Sequence, residues 1–246
     1  MIKIFIDPGH NYSGWDTGAN GKNTREQEVT FQIASHLCDI LKINGIEIKM
    51  SRNKLEDNVG SSVSSSLKTR ADSANRWGAD YFISLHCNSY TTSAANGTET
   101  LILSKGGKAE QLAYAINRNI TKQLGMYDRG VKEQNLYVLR NTTMPAVLVE
   151  MGFITNEADE WKLINRQLEF ANAIADRILG YLGIQKQELP QNITVRVEYD
   201  GKQITGYLYE DTTYVRIRQV ADLLHKHVEW DGKENIVYLS DNDRNG

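Results

Sequence analysis

From residue 3 to residue 182, apolar runs of strand length alternate with segments whose apolar residues recur at helical spacing. That alternation restricts the chain to an α/β fold, a mostly parallel central sheet flanked by helices. Strand patterns fall at residues 2–6, 46–50, 81–86, 98–103, 136–139 and 146–150. Between them, Val29, Ile33, Leu37 and Leu41 mark one helix, and Leu67, Ala71 and Ala74 a second. Leu112, Ile116, Ile120 and Leu124 mark a third, and Leu168, Ala171, Ile174, Ala175, Ile178 and Leu182 a last one. Thr24, with Gln27 three residues on, has the pattern of a capping box, and residues 53–66 read as a polar, serine-rich surface loop.

After Gly183 the pattern changes. Residues 184–191, with Pro190, read as a linker, and residues 192–246 as a small α+β module of hairpins turning at Asp200-Gly201 and Asp231-Gly232. The charge divides at the same place. Residues 184–246 hold 8 basic and 11 acidic side chains, the whole of the net charge of −3. So modest an acidic balance, with no basic stripe, excludes the usual nucleic-acid binder. No apolar run reaches the roughly 20 residues of a membrane span. Met1 to Ile6 runs straight into the first strand with neither an apolar signal region nor a cleavage site, so synthesis in the cytoplasm, with action elsewhere after release, is the expectation. Cys38 and Cys87 read as buried thiols rather than a disulfide or a nucleophile, Cys87 pointing to the strand face opposite His86.

Three of the strand runs end in residues with chemistry. Ile4-Phe5-Ile6-Asp7-Pro8-Gly9-His10, Tyr81-Phe82-Ile83-Ser84-Leu85-His86 and Ala146-Val147-Leu148-Val149-Glu150 finish at two imidazoles and a carboxylate. Carboxyl ends of parallel strands open onto one crevice, so residues far apart in sequence converge there. Glu26, at the start of the first helix, completes a set of two His and two Glu. That suffices for three ligands and a general base, the composition of a catalytic zinc site. Glu28 and Asp16 compete with Glu26 for the carboxylate ligand, and an acidic residue in a first helical turn has a dipole reason to be there in any case. Glu150 ends an apolar run, where a carboxylate must be paired, metal-bound or protonated. No compact HExxH-type motif is present.

Five segments carry a family resemblance: Ile6-Asp7-Pro8-Gly9-His10; Asp16-Thr17-Gly18-Ala19-Asn20-Gly21; Glu26-Gln27-Glu28-Val29; Ser84-Leu85-His86-Cys87-Asn88; and residues 145–156, Pro145 to Asn156. In this order they resemble the signature segments of zinc-dependent N-acetylmuramoyl-L-alanine amidases, over residues 1 to about 182. The resemblance implies that His10, Glu26 and His86 hold Zn2+ and that Glu150 is the catalytic carboxylate, with residues 1–183 as the catalytic domain. Cys87 stands where small residues are usual in that family. The implied substrate is peptidoglycan, cut at the amide between the lactyl group of N-acetylmuramic acid and the L-alanine of the stem peptide, as by an endolysin or an autolysin. A non-catalytic wall-binding protein on the same scaffold is the alternative. A glycosidase would need two carboxylates at a set separation and no metal. The tail is similar to the small domain first named from the N-terminal part of copper amine oxidases, which implies no copper here. It is expected to target the wall, self-associate or bind a protein partner, with His225 and His227 as surface residues on a helix. Tyr207, Tyr209, Tyr214, Trp230 and Tyr238 would either stack on sugars or build its core.

Overall fold

In the computed structural model, residues 1–187, 193–199, 202–209, 212–215, 217–231 and 236–241 are described. The elements run β1 (Lys3–Pro8), α1 (Glu26–Ile43), β2 (Glu47–Met50), α2 (Val63–Trp77), β3 (Tyr81–Asn88), β4 (Thr98–Ile102), α3 (Lys108–Leu124), β5 (Asp128–Glu133), α4 (Tyr137–Arg140), β6 (Ala146–Phe153), α5 (Glu157–Asn165) and α6 (Gln167–Tyr181). The six strands form one sheet in the order β2-β1-β3-β6-β4-β5. The first four are parallel, as the alternation of elements predicts. β4 pairs antiparallel with β6, and β5 follows β4 in parallel.

The apolar runs are continuous because both faces of the sheet are covered. On one face α1, α3 and α6 pack together, α1 lying over β1 and β3 and α3 over β4 and β5. On the other, Phe5, Phe82, Leu101 and Leu148 meet Ala74 of α2 and Val138 and Leu139 of α4. Phe5 and Phe82 stack there with ring centroids 5.8 Å apart. The second face stays open beside α2 and α4, at the carboxyl ends of β1, β3 and β6, and that opening is the cleft.

Four local expectations are corrected. Residues 136–139 are not a strand; they lead into the single helical turn α4, which sets Leu136, Val138 and Leu139 against the sheet. An apolar run this short suits either state, and the contact decided it. The missing strand is β5, whose sequence Asp-Arg-Gly-Val-Lys-Glu carries the charges of a sheet edge instead of an apolar alternation. Thr24 caps nothing: Arg25 is the N-cap of α1 and no side chain caps it, while the Glu26 N–H donates to the Ala19 carbonyl at 3.0 Å. Ser64, Ser65 and Ser66 belong to the first turn of α2, where Ser62 is the N-cap and accepts from the Ser65 N–H at 3.2 Å. The shortened loop before it is pinned where Asn11 exchanges two hydrogen bonds with the Val59 backbone, at 2.9 and 3.1 Å.

The chain divides into two compact units, Met1–Lys186 and Gln187–Gly246. In the second, β7 (Ile193–Tyr199), β8 (Lys202–Tyr209) and β9 (Thr212–Val215) form an antiparallel sheet. A short α7 (Ile217–Leu223) precedes the hairpin of β10 (Lys226–Asp231) and β11 (Ile236–Asp241). Turn residues 200–201 and 232–235 and the side chains of the five tail aromatics lie outside the described residues. His225 and His227 are both exposed, but beyond α7: the first in the turn after it, the second on β10. Among the described residues no helix is long and apolar enough to cross a membrane.

Candidate functional site

The strand β1 ends at Pro8, and the Gly9 N–H then donates to the Leu85 carbonyl at 2.9 Å, drawing the chain along the end of β3. Only glycine allows this approach, since a Cβ at Gly9 would lie 2.6 Å from His86 Nε2. The next residue, His10, has φ +65°, a left-handed conformation that a residue with a side chain seldom adopts. Arg70 of α2 holds it there. Its guanidinium donates to the His10 carbonyl at 2.7 Å, the Pro8 carbonyl at 2.9 Å and Asn11 Oδ1 at 3.0 Å. The same group is paired with buried Asp7 at 2.6 Å. Burial works to raise the Asp7 pKa, but the Arg70 charge and hydrogen bonds from Ser51 and Arg70 outweigh it and hold the carboxyl below its usual range.

Glu26, on the first turn of α1, gathers the site. Its Oε1 lies 3.1 Å from His10 Nε2, 3.1 Å from His86 Nδ1 and 2.9 Å from the Cys87 N–H. Its Oε2 accepts from the Ala19 N–H at 2.8 Å. The two imidazoles meet edge to face, with centroids 4.8 Å apart. One ligand atom each from His10, Glu26 and His86 lies within 4.8 Å of the others. Burial would raise the Glu26 pKa, yet hydrogen bonds and charge from both histidines drive it far below the carboxylate range. For His10 burial works downward, and the bonds and charges of Asp16 and Glu26 overcome it and push the imidazole up to about 9. The pocket favours positive charge.

Of the residues competing with Glu26, neither joins the group. Glu28 is ion-paired with Arg25, its Oε1 3.0 Å from Arg25 Nε. Asp16 stands behind the ring: its Oδ1 is 2.9 Å from His10 Nδ1, and its Oδ2 accepts from Ser66 Oγ at 2.9 Å. An ionised carboxylate only accepts, so His10 Nδ1 carries a proton toward Asp16 and, with no metal bound, Nε2 donates to Glu26 in turn; a metal would take the place of that second proton. Spacing alone could not reveal this contact, because Asp16 lies in a loop without periodicity. Arg70 escaped notice for a related reason: an arginine between Leu67, Ala71 and Ala74 reads as the wet face of a helix, whereas it is 2% exposed.

Glu150 sits across the cleft. In the sheet it is the register partner of His86 on one side and of Glu99 on the other. Its Oε2 is buried and makes no hydrogen bond. Burial first, then the negative charges of Glu26 and Glu99, push its pKa up to about 8 against the opposing pull of His10. Cys38 and Cys87 are buried and not joined to each other, and burial drives the Cys87 thiol well above its usual value. A surface cleft of about 560 Å³ opens between His10, Glu26, His86, Glu150, Tyr137 and Arg70.

An α/β sheet whose strand ends join a His–Glu–His donor group to a carboxylate with a buried, unpartnered oxygen has the arrangement of a hydrolytic centre. The chain belongs to the N-acetylmuramoyl-L-alanine amidase family, whose model matches residues 4–180. It is 39% identical over 244 residues to a sporulation-specific N-acetylmuramoyl-L-alanine amidase of Bacillus subtilis, covering 98% of this chain and 86% of that one. It is 39% identical over 167 residues to the N-acetylmuramoyl-L-alanine amidase CwlM of Bacillus licheniformis, covering 66% of this chain and 61% of that relative. Among solved structures, the catalytic domain of the amidase CwlV from Bacillus (Paenibacillus) polymyxa var. colistinus superposes with a TM-score of 0.66 at 33% identity, covering 75% of this chain and 100% of that one.

Proposed function

We propose that this protein is a peptidoglycan hydrolase that cleaves the amide between N-acetylmuramic acid and the L-alanine of the stem peptide, with zinc held by His10, Glu26 and His86. The family membership supports the reaction, and the donor set supports the metal. His10, Glu26 and His86 would hold the ion: they offer two imidazole nitrogens and a carboxylate oxygen within 4.8 Å of one another, a donor set that zinc takes. When bound, the ion supplies Lewis-acid polarisation of the amide carbonyl and of water.

The protein's own residues do the rest. Asp16 fixes the tautomer of His10, and the Arg70 clamp fixes its backbone. Glu150 receives the proton of the attacking water at a carboxylate with no competing partner and returns it to the departing amine. That orphaned carboxylate is the observation that carries the reading. A wall-binding protein without chemistry has no use for it, since a buried carboxyl oxygen left without a hydrogen-bond partner only destabilises.

We assign residues 1–183 to the catalytic domain, 184–191 to a linker and 192–246 to a module that targets the wall, self-associates or binds a partner. Confinement of the net charge to the tail supports that division. The reaction is tested by incubating the protein with purified peptidoglycan. New alanine amino termini are expected. New reducing sugars would make it a glycosidase, and neither product would leave the wall-binding protein.

A further inference from the structure

A second concavity of the first unit lies apart from the cleft. A groove of about 750 Å³ lies between Lys22, Ser93, Asn156, Glu157 and Trp161, within the usual range for ligand sites of roughly 300–1,000 Å³. Trp161, on α5, is 59% exposed, although indole is among the most favourable groups to bury. Glu157 lies one turn before it on the same side of the helix, exposed beside the ring. Lys22 faces them from the loop that precedes α1.

Two chain segments that line the cleft run on to line the groove. On one side, the chain leaving β6 is stitched to the chain leaving β3. The Ile154 N–H donates to the Asn88 carbonyl at 2.8 Å, the Tyr90 N–H to Thr155 Oγ1 at 3.1 Å and Asn156 Nδ2 to the Ser93 carbonyl at 2.7 Å. Asn88 and Ser89 face the cleft, while Ser93 and residues 154–156 face the groove. On the other side, Gly18 and Ala19 line the cleft and Lys22, in the same loop, lines the groove. That loop is bound to the floor of the groove, where the Asn23 N–H donates to the buried Glu160 carboxylate at 2.6 Å. A Cβ on Gly21 would lie 2.8 Å from the Ile154 carbonyl, so the approach is as close as a backbone permits. These bonds tie the segments that line the groove to those that line the cleft, and the two together make a trough.

A ligand of this trough needs an apolar face for the indole and a polar edge for Lys22 and Glu157. A pyranose ring has both, with axial C–H bonds on its faces and hydroxyl and N-acetyl groups around its rim. The substrate of the proposed reaction carries its scissile amide on such a chain of sugars. Resting on that reading, we infer that the groove is a saccharide subsite, in which Trp161 stacks on an N-acetylated sugar next to the muramoyl unit held in the cleft. Binding there would position long glycan strands without touching the reacting bond.

The test uses the full chain and two variants, Trp161→Ala and Trp161→Phe, with melting temperatures recorded to confirm that loss of an exposed ring leaves the fold intact. The binding probe is the β-1,4 tetramer of N-acetylglucosamine, which has the sugar faces but no amide to cleave, titrated by calorimetry. Trp161→Ala is expected to weaken the tetramer roughly ten-fold, the scale of one aromatic contact, and Trp161→Phe to retain most of the affinity. In kinetics, Trp161→Ala should raise KM on long glycan strands at unchanged kcat and leave turnover of a single muramoyl dipeptide untouched. No tetramer binding by the wild type, or equal binding by Trp161→Ala, overturns the subsite. If the wild type cleaves neither substrate yet loses tetramer affinity on Trp161→Ala, the subsite stands and the amidase reading fails. If it cleaves both while tetramer affinity is indifferent to Trp161, the amidase reading stands and the subsite fails.

Discussion

At Glu150 and Asp16 one side chain changes the chemistry while the fold stays put. Replacing Glu150 with Gln preserves its volume and removes an acidic group whose ionised form the carboxylates of Glu26 and Glu99 oppose. We expect Glu150→Gln to lose about 10²–10⁴-fold in turnover, to keep its metal through dialysis and to melt no lower than the wild type. Loss of metal in this variant would make Glu150 a ligand instead of the base. For Asp16→Asn the expected change is the opposite: zinc affinity falling about 10- to 100-fold by calorimetric titration, because an amide no longer dictates which nitrogen of His10 carries the proton. Unchanged affinity would reduce Asp16 to a loop residue. His10, Glu26, His86 and Glu150 could be singled out in the sequence because each stands where an apolar run or a helix meets a loop. Asp16 stood out only as a rival ligand and Arg70 not at all, since what they do is visible only in whom they touch.

Between elements, a buried ion pair joins α2 to β1. Arg70 and Asp7 are both buried, and the same guanidinium also holds the carbonyls that shape the His10 turn. Asp7→Asn should cost roughly 3–5 kcal/mol in urea unfolding at pH 7, by leaving a buried cation uncompensated. The pH dependence has a definite sign. With its native pKa held below the ordinary 3.8, Asp7 contributes its full stabilisation above about pH 4, and the contribution is lost as pH falls through the native value. The stability gap between wild type and variant should therefore narrow only in acid; a gap constant down to pH 2 would rule out this account. Elements with a continuous apolar run or a helical period were legible from sequence, β1, β3, β6, α1, α3 and α6 among them. β5 was not, because an edge strand needs charges where a central one needs apolar side chains. α4 was not, because one turn of helix and a short strand bury the same few residues. α5 was hidden for a third reason. Its exposed Trp161 and buried Asp159 and Glu160 invert the pattern expected of a surface helix, and the inversion marks the groove.

Across the whole molecule, every group assigned to the chemistry lies within Met1–Lys186. A chain ended after Lys186 is expected to bind zinc with the affinity of the full protein and to cleave soluble muropeptides at a similar rate. Its retention on whole walls should fall, and its mass in solution will show whether the tail had been holding copies together. If the shortened chain unfolds or loses activity on the soluble substrate, the two units are one functional body. The strand order has another consequence. β6 comes last of the six in sequence but lies inside the sheet, between β3 and β4. During synthesis on the ribosome, β4 and β5 can pair with each other but have no place beside β3 until β6 has emerged. The strand that closes the sheet is also the one that carries Glu150. An incomplete chain can therefore hold the two histidines and Glu26 but lacks the base we propose, and on that reading the power to cut arrives in the same step that completes the sheet.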